Sequence, residues 1–420
     1  MKKTTALLLL LPATVAGSWA YSDWPQYHGP SHDRTVSESI AHRVWGQESP
    51  KSVWTAETPA GFSSFTVTGG RAYTLVDRAG RETAVALDAK SGTEVWSFPT
   101  DEVKYDRGGG AGSAENNGGD GPRTCISHQD GRAFILTSAL HLYCLEAEKG
   151  ELLWDVDLMA DYGGRNITWQ NAASPLLEGD LVFVAGGGEG ESLLAFHQES
   201  GALAWKSHDE RITHATPIAT TIHGVRQVIF YMRSGLISVS PGDGEELWRI
   251  EYPFRTSTAA SPVVYEDIVY CSAGYGVGAG AFRLTESDGE WSSESIWRKR
   301  NRLMNHWSTP ICRDGYLYGM FSFKEYGDGP MKCVDIRTGD ELWSADGFGP
   351  GNCILVGDDL VALTDAGEVV LVEATPDAYT EVSRAQLLEG KCWSTPAFAE
   401  GDVFIRSTEE GMRLDLSANR

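Results

Sequence analysis

Short apolar runs alternating with turn-forming polar clusters make up almost the whole of this chain. One stretch shows the pattern: Ser174-Pro175-Leu176-Leu177, Leu181-Val182-Phe183-Val184, Ser192 to Phe196 and Leu203-Ala204-Trp205 are all strand-length. Glu178-Gly179-Asp180, the glycines 186 to 188 and Glu199-Ser200-Gly201 separate them. Runs bounded in this way read as strands. No apolar period of 3.6 residues is sustained, so helices are expected to be short or absent.

The four-strand pattern repeats. Ala86-Leu87-Asp88-Ala89-Lys90-Ser91-Gly92-Thr93-Glu94-Val95-Trp96 returns as Cys144-Leu145-Glu146 through Gly150 to Trp154, and again ending at Trp205, Trp248, Trp297 and Trp343. The copy ending at Trp297 is stretched, and two degenerate copies follow at Val372 and Leu414. The apolar anchors fall at 87, 145, 196, 239, 284, 334, 372 and 414. Glycine before the last strand suits a tight turn at positive φ, and the tryptophan suits a gap between neighbouring sheets. Eight units at this period predict an all-β, eight-bladed β-propeller of four-stranded antiparallel blades. Counting outer strands leaves the last blade one short. Ser52-Val53-Trp54-Thr55 is the upstream strand that would complete it and close the ring.

The phrase Asp88-x-x-x-Gly92-x-Glu94-x-Trp96 resembles the tryptophan-docking repeat of quinoprotein-type, PQQ-like propellers. The run Asp23-Trp24-Pro25-Gln26-Tyr27-His28-Gly29-Pro30 resembles the opening of secreted members. Gly121-Pro122-Arg123-Thr124, Gly224-Val225-Arg226-Gln227 and Gly315 to Gly319 extend the likeness, which spans nearly all of residues 22–416. The resemblance implies three kinds of role. One is a binding or scaffold protein, one a PQQ- and calcium-dependent alcohol or sugar dehydrogenase, and one a BamB-like outer-membrane assembly factor with an envelope protein partner. The adjacent cysteine pair of many such dehydrogenases is missing here, and no calcium-binding Glu/Asn/Asp set maps onto matching positions. The only dense oxygen cluster is Asp101, Asp106, Glu115, Asn116, Asn117 and Asp120 in one long loop.

Lys2 and Lys3 precede an apolar run from Ala6 to Ala16, and Gly17-Ser18-Trp19-Ala20 follows. That layout predicts a secretory signal over residues 1–20 and a single propeller domain over 21–420, exported to the periplasm or beyond. No later stretch is long and apolar enough to span a membrane. The seven cysteines lie mostly inside strand-like runs, where buried free thiols are expected.

A formal charge of −23 disfavours nucleic acid as a partner. Propeller topology gathers the connections into each first strand, and those between second and third strands, on one face, called the top. Sequence elaboration concentrates there, at Thr100 to Pro122, Gly186 to Glu191, Ala273 to Gly280 and Phe321 to Pro330. Positions just before the first strands hold Arg123, Trp169, Asn171, His214, Arg255, His306, Trp307, Lys391 and Trp393. Basic, aromatic and amide groups converging at a channel mouth suit a small anionic or planar ligand. His214 and His306 have no carboxylate companions at metal-ligand spacing. The expectation is a monomeric binding protein with a top-face funnel and no assured cofactor, PQQ and calcium being the alternatives.

Overall fold

The computed structural model describes residues 23–46, 49–102 and 121–416. The leader segment 1–20 and all of the acidic loop cluster except Asp101 lie outside the described residues. Eight sheets follow one another along the chain. Their first strands are Thr66–Thr68, Ser127–Gln129, Leu176–Glu178, Ile218–Ile222, Val263–Tyr265, Ile311–Arg313, Asn352–Val356 and Ala397–Ala399. First strands of consecutive blades touch at six of the eight junctions, the eighth against the first included, and hydrogen bonds from Ser261 to Thr216 and from Asn352 to Trp393 bridge the other two, so the ring is closed. Every predicted anchor falls in the third strand of its blade. Among the described residues, helix is limited to Leu158–Asp161, capped by the Asp157 carboxylate.

Closure uses the upstream strand. Lys51–Glu57 pairs antiparallel with Glu410–Asp415, so the eighth blade takes three strands from one end of the chain and its outermost from the other. Trp54 then docks on blade 1, its Nε1 donating to the Ala89 carbonyl at 2.9 Å. The same contact recurs around the ring: Trp96 donates to Ala147, Trp154 to Gln198, Trp205 to Pro241, Trp297 to Ile336 and Trp343 to Thr375. The glycine of the repeat is explained by this docking. Gly92 has φ +71°, and a Cβ there would stand 2.7 Å from the Trp54 ring. Any larger residue would both strain the turn and push the indole out. Trp248 is the exception. The following blade extends its third and fourth strands into a long hairpin over Gly278–Ser287 and Glu290–Lys299, and Trp248 donates instead to Gln227 Oε1 of its own blade. That hairpin is the stretched copy of the repeat.

A belt of side-chain hydrogen bonds joins the blades at the entry to their first strands. The Thr395 amide donates to Ser64 Oγ, the Ser64 amide to Cys125 Sγ, the Cys125 amide to Ser174 Oγ and the Ser174 amide to Thr216 Oγ1. Ser261 Oγ donates to the Thr216 carbonyl, and the Ser261 amide to Thr309 Oγ1. Asn352 Nδ2 donates to the Trp393 carbonyl, linking blades 7 and 8. Five of these positions stand before proline, which removes the next backbone donor and keeps the chain extended as it enters the blade. All seven cysteines are free thiols, and only Cys312 is not fully buried.

Residues 24–36 cross the channel below this belt. Trp24 exchanges backbone hydrogen bonds with Val67, the Pro25 carbonyl accepts from His128, and Gln26 Oε1 accepts from the Leu177 amide. His28 Nε2 lies 2.9 Å from Ser261 Oγ. The buried Arg34 guanidinium donates to the Thr309 carbonyl, Asn352 Oδ1 and Tyr27 OH. Thr35–Val36 then adds a fifth, parallel strand to the inner edge of blade 7. Gly29, at φ +72°, lets this segment fold over the Trp24 ring, which a Cβ would meet at 3.0 Å. The N-terminal segment therefore plugs the lower channel and gives the upper channel a floor.

Candidate functional site: an aromatic funnel on the top face

Above the plug the channel opens into a cavity of about 160 Å³. Engineered cavities of comparable size admit one aromatic ring. Tyr27 of the plug lies at the bottom, and the walls come from seven of the eight blades or the connections into them. One wall is a chain of rings. Phe62 stacks on Trp393 at 4.8 Å, Trp393 meets Trp307 at 4.7 Å, and Trp307 meets His306 at 5.0 Å. Tyr326 lies parallel to Trp393 at 5.9 Å, and Tyr275 packs edge-on to His306 at 5.2 Å. Opposite stands Trp169, edge-on to His214 at 6.4 Å.

The polar groups are few and fixed. Trp307 Nε1 donates to the Pro350 carbonyl at 2.7 Å, which locks its ring. His214 Nδ1 lies 2.8 Å from Ser257 Oγ. Burial, with the Arg123 charge added, drives the His214 pKa down to about 3. Burial, then His214 and Lys324, does the same to His306, also to about 3. Both imidazoles are neutral at any physiological pH, and groups this weakly basic are poor proton acceptors near neutrality. The Ser257–His214 pair is thus an orienting contact. His306 Nδ1 and Trp393 Nε1 are buried without a hydrogen-bond partner among the described residues. Arg123 and Lys324 supply positive charge, Lys324 lying 5.2 Å from the Tyr275 ring centroid. No carboxylate lines the cavity among the described residues.

At the lip, Trp169 and Gln170 are consecutive residues with left-handed backbones, φ +74° and +64°. Such conformations cost on the order of 1–3 kcal/mol each and persist where surrounding contacts enforce them. Here Arg123 Nη1 donates to the Trp169 carbonyl, and the Gln170 amide donates to Ile167.

Of the nine residues expected at the channel mouth, Arg123, Trp169, His214, His306, Trp307 and Trp393 come together in this cavity. Arg255 lines a neighbouring recess. Lys391 stands outside the lining, with its ammonium 3.7 Å from Asp365 and 5.6 Å from the Tyr326 ring centroid. Asn171 is fully buried and spent on backbone: its amide donates to the Thr137 and Ala173 carbonyls and its Oδ1 accepts from the Ala173 amide. It shapes the turn into blade 3. Sequence reasoning missed Tyr27, Phe62, Tyr275, Lys324 and Tyr326. The last three lie in the elaborated top loops of blades 5 and 6, so the loop lengths pointed to the region without selecting residues.

The described residues of the funnel do not form a calcium cage. Such an ion needs six to eight convergent oxygens, and among the described residues there is neither a carboxylate in the lining nor a group of three potential metal ligands anywhere. Asp101 is engaged elsewhere, accepting from Tyr143 OH at 2.8 Å and lying 2.6 Å from His141 Nδ1.

A family model described as outer membrane protein assembly factor BamB matches residues 81–306, more than half of the chain. The chain belongs to the BamB family. Among solved structures, BamB from Moraxella catarrhalis superposes with a TM-score of 0.61 at 16% identity, over 88% of this chain and 98% of that one. The quinohemoprotein alcohol dehydrogenase of Comamonas testosteroni gives 0.66 at 11% identity, over 95% and 81%. A europium-containing methanol dehydrogenase gives 0.53 at 12% identity, over 93% and 90%. No curated protein sequence matches the chain. At these identities the structural likeness fixes the fold, which BamB-type and quinoprotein enzymes share, and the choice between their roles falls to the site. Among the described residues no helix is long and apolar enough to cross a membrane.

Proposed function

We propose that this BamB-family propeller is an exported binding protein whose top-face funnel holds a small, planar, negatively charged ligand. The observation that carries the reading is the funnel's composition. Seven aromatic side chains, Arg123 and Lys324 line it with no carboxylate among the described residues, in a chain of net charge −23. Rings accept a flat molecule face to face or edge to face, and the Arg123 and Lys324 cations select its polar edge. The leader-like segment 1–20 supports export. A dehydrogenase role is disfavoured because the lining offers neither a calcium cage nor a group poised as a base near neutral pH.

Isothermal titration with naphthalene-2,6-dicarboxylate and with uncharged 2-naphthol tests the reading. The dicarboxylate is expected to bind roughly tenfold or more tightly than the naphthol, the worth of one charge-assisted contact. Lys324→Ala removes most of that advantage. The affinity is flat from pH 5 to 8, because both funnel histidines stay neutral there. Equal affinity for the two compounds contradicts the proposal, as does dye-linked alcohol or sugar oxidation after loading with PQQ and calcium. The family match favours a second reading, docking of an envelope protein on the same top face. Recovery of a β-barrel assembly complex in a proximity pull-down, lost when the Phe321 to Pro330 loop is shortened, would support it.

A further inference from the structure

Four arginines from four separate top-face loops converge beside the funnel. Arg165 comes from the connection between blades 2 and 3, and Arg211 from that between blades 3 and 4. Arg233 sits in the hairpin between the second and third strands of blade 4, and Arg255 in the connection to blade 5. Together they line one recess. Its boundary with the funnel is Trp169 and Thr256, which line both cavities.

The charge balance of this recess runs against that of the chain. With 58 acidic and 35 basic residues overall, four arginines line it and no carboxylate does among the described residues. Arg165 pairs with two largely exposed acids on the rim, Asp209 at 3.4 Å and Glu189 at 3.7 Å, while Glu210, next to Arg211 in the chain, is engaged by Arg249 and Ser234. Arg233 is held by donating through Nη2 to the Arg255 carbonyl. The chain can place Arg233 there because Gly235 follows at φ +142°, where a Cβ would collide with the Ile250 carbonyl at 2.0 Å. Trp169, one of the two shared residues, belongs to the strained Trp169-Gln170 turn. Like charges gathered on adjacent loops repel one another, and an arriving anion relieves that repulsion.

We propose that this recess binds a multiply charged oxyanion of phosphate or sulfate type, carried by the same ligand whose ring occupies the funnel. The second half of that statement rests on the funnel reading above. Guanidinium forks approaching from several loops suit a tetrahedral group with three free oxygens. A planar carboxylate is satisfied by a single fork. Trp169 stands where ring and oxyanion would join.

Titration of the full chain with inorganic pyrophosphate, 2-naphthyl phosphate, 2-naphthol, a hexaglutamate peptide and phosphatidic-acid vesicles tests both halves. Arg211 and Arg255 are exposed, so the double variant Arg211→Gln/Arg255→Gln leaves packing intact. Arg283→Gln, on the outer part of blade 5, is the charge control. The expected result is a tenfold or greater loss of pyrophosphate and 2-naphthyl phosphate affinity in the double variant, with 2-naphthol unchanged and the control like wild type. Wild-type 2-naphthyl phosphate should also bind more tightly than either pyrophosphate or 2-naphthol. Equal oxyanion affinity in wild type and double variant overturns the site. Arginine-dependent binding of pyrophosphate that gains nothing from the naphthyl ring, and is unmoved by Trp307→Ala, keeps the site and overturns the joint ligand. Tighter arginine-dependent binding of the peptide or the vesicles overturns the small-molecule assignment.

Discussion

Replacing Trp54 by alanine is expected to lower the stability of the protein by about 3–5 kcal/mol, the usual cost of emptying a buried tryptophan site. It should do so more severely than Trp205→Ala. The two indoles are equally buried, at 7% exposure, and both donate to a carbonyl of the next blade, at 2.9 and 2.8 Å. Each meets a phenylalanine of its own blade at 5.9 Å, Phe404 for Trp54 and Phe183 for Trp205, and Trp54 adds an edge contact with Phe65 at 6.0 Å. The difference lies in the chain. Trp205 belongs to a strand joined covalently to its own blade through a turn, whereas Trp54 sits on the strand that the N-terminal part lends to the last blade. Lys51–Glu57 is held on that blade by noncovalent contacts, chiefly its sheet hydrogen bonds and its indole. Urea unfolding of both variants, with hydrogen exchange followed at Lys51–Glu57 and Glu410–Asp415, checks this. A smaller effect for Trp54→Ala than for Trp205→Ala would mean that the seam is not the weak point of the ring.

The same seam predicts a second large effect, at Arg406. This side chain is 1% exposed and has no carboxylate partner among the described residues. Its five N–H groups go to the Thr58, Ala60, Leu75 and Ser407 carbonyls and to Thr74 Oγ1. One guanidinium thus ties blade 8 to blade 1 and to the segment just after the closing strand. Burial lowers its pKa to about 10, which still leaves it charged at neutral pH. Arg406→Met keeps the volume of the stem and strands those acceptors. At 1–3 kcal/mol for each unsatisfied buried group, offset by no longer burying a charge, the net loss is about 3 kcal/mol. Arg406→Lys, with three donors in place of five, should lose about half as much. Thermal and urea midpoints of both variants check the order. A methionine variant as stable as wild type would show that the cation's burial costs as much as its hydrogen bonds return.

The fold was legible because its physics is local and repeated. Each Gly-Trp phrase states one docking contact, and the count of outer strands is enough to single out Trp54 as the missing member. The inter-blade belt is equally present in the sequence, as Ser174-Pro175, Thr216-Pro217, Ser261-Pro262, Thr309-Pro310 and Thr395-Pro396, but it does not announce itself through hydropathy. The plug is harder to read. Trp24 to Val36 has too few apolar residues to read as core, and its contacts are polar atoms reaching first strands that are distant in sequence. The funnel is half legible for a related reason. Topology places residues that precede the first strands near the axis, which brings Trp307 and Trp393 into view. It does not say whether a side chain points inward, as His306 does, or turns back to cap its own backbone, as Asn171 does. Loops such as Phe321 to Pro330 follow no repeat, so the inward aim of Lys324 and Tyr326 emerges only in three dimensions.

The most direct test of the funnel as a ligand site is a native mass spectrum of the protein purified from its own cells without added ligand. The expected spectrum holds a population heavier than the bare chain by the mass of one small planar anion, without calcium, and that population disappears in the double variant Trp307→Ala/Lys324→Ala. A wild-type protein found only at its bare mass, or an added mass that survives the double variant unchanged, would contradict a ligand-holding funnel.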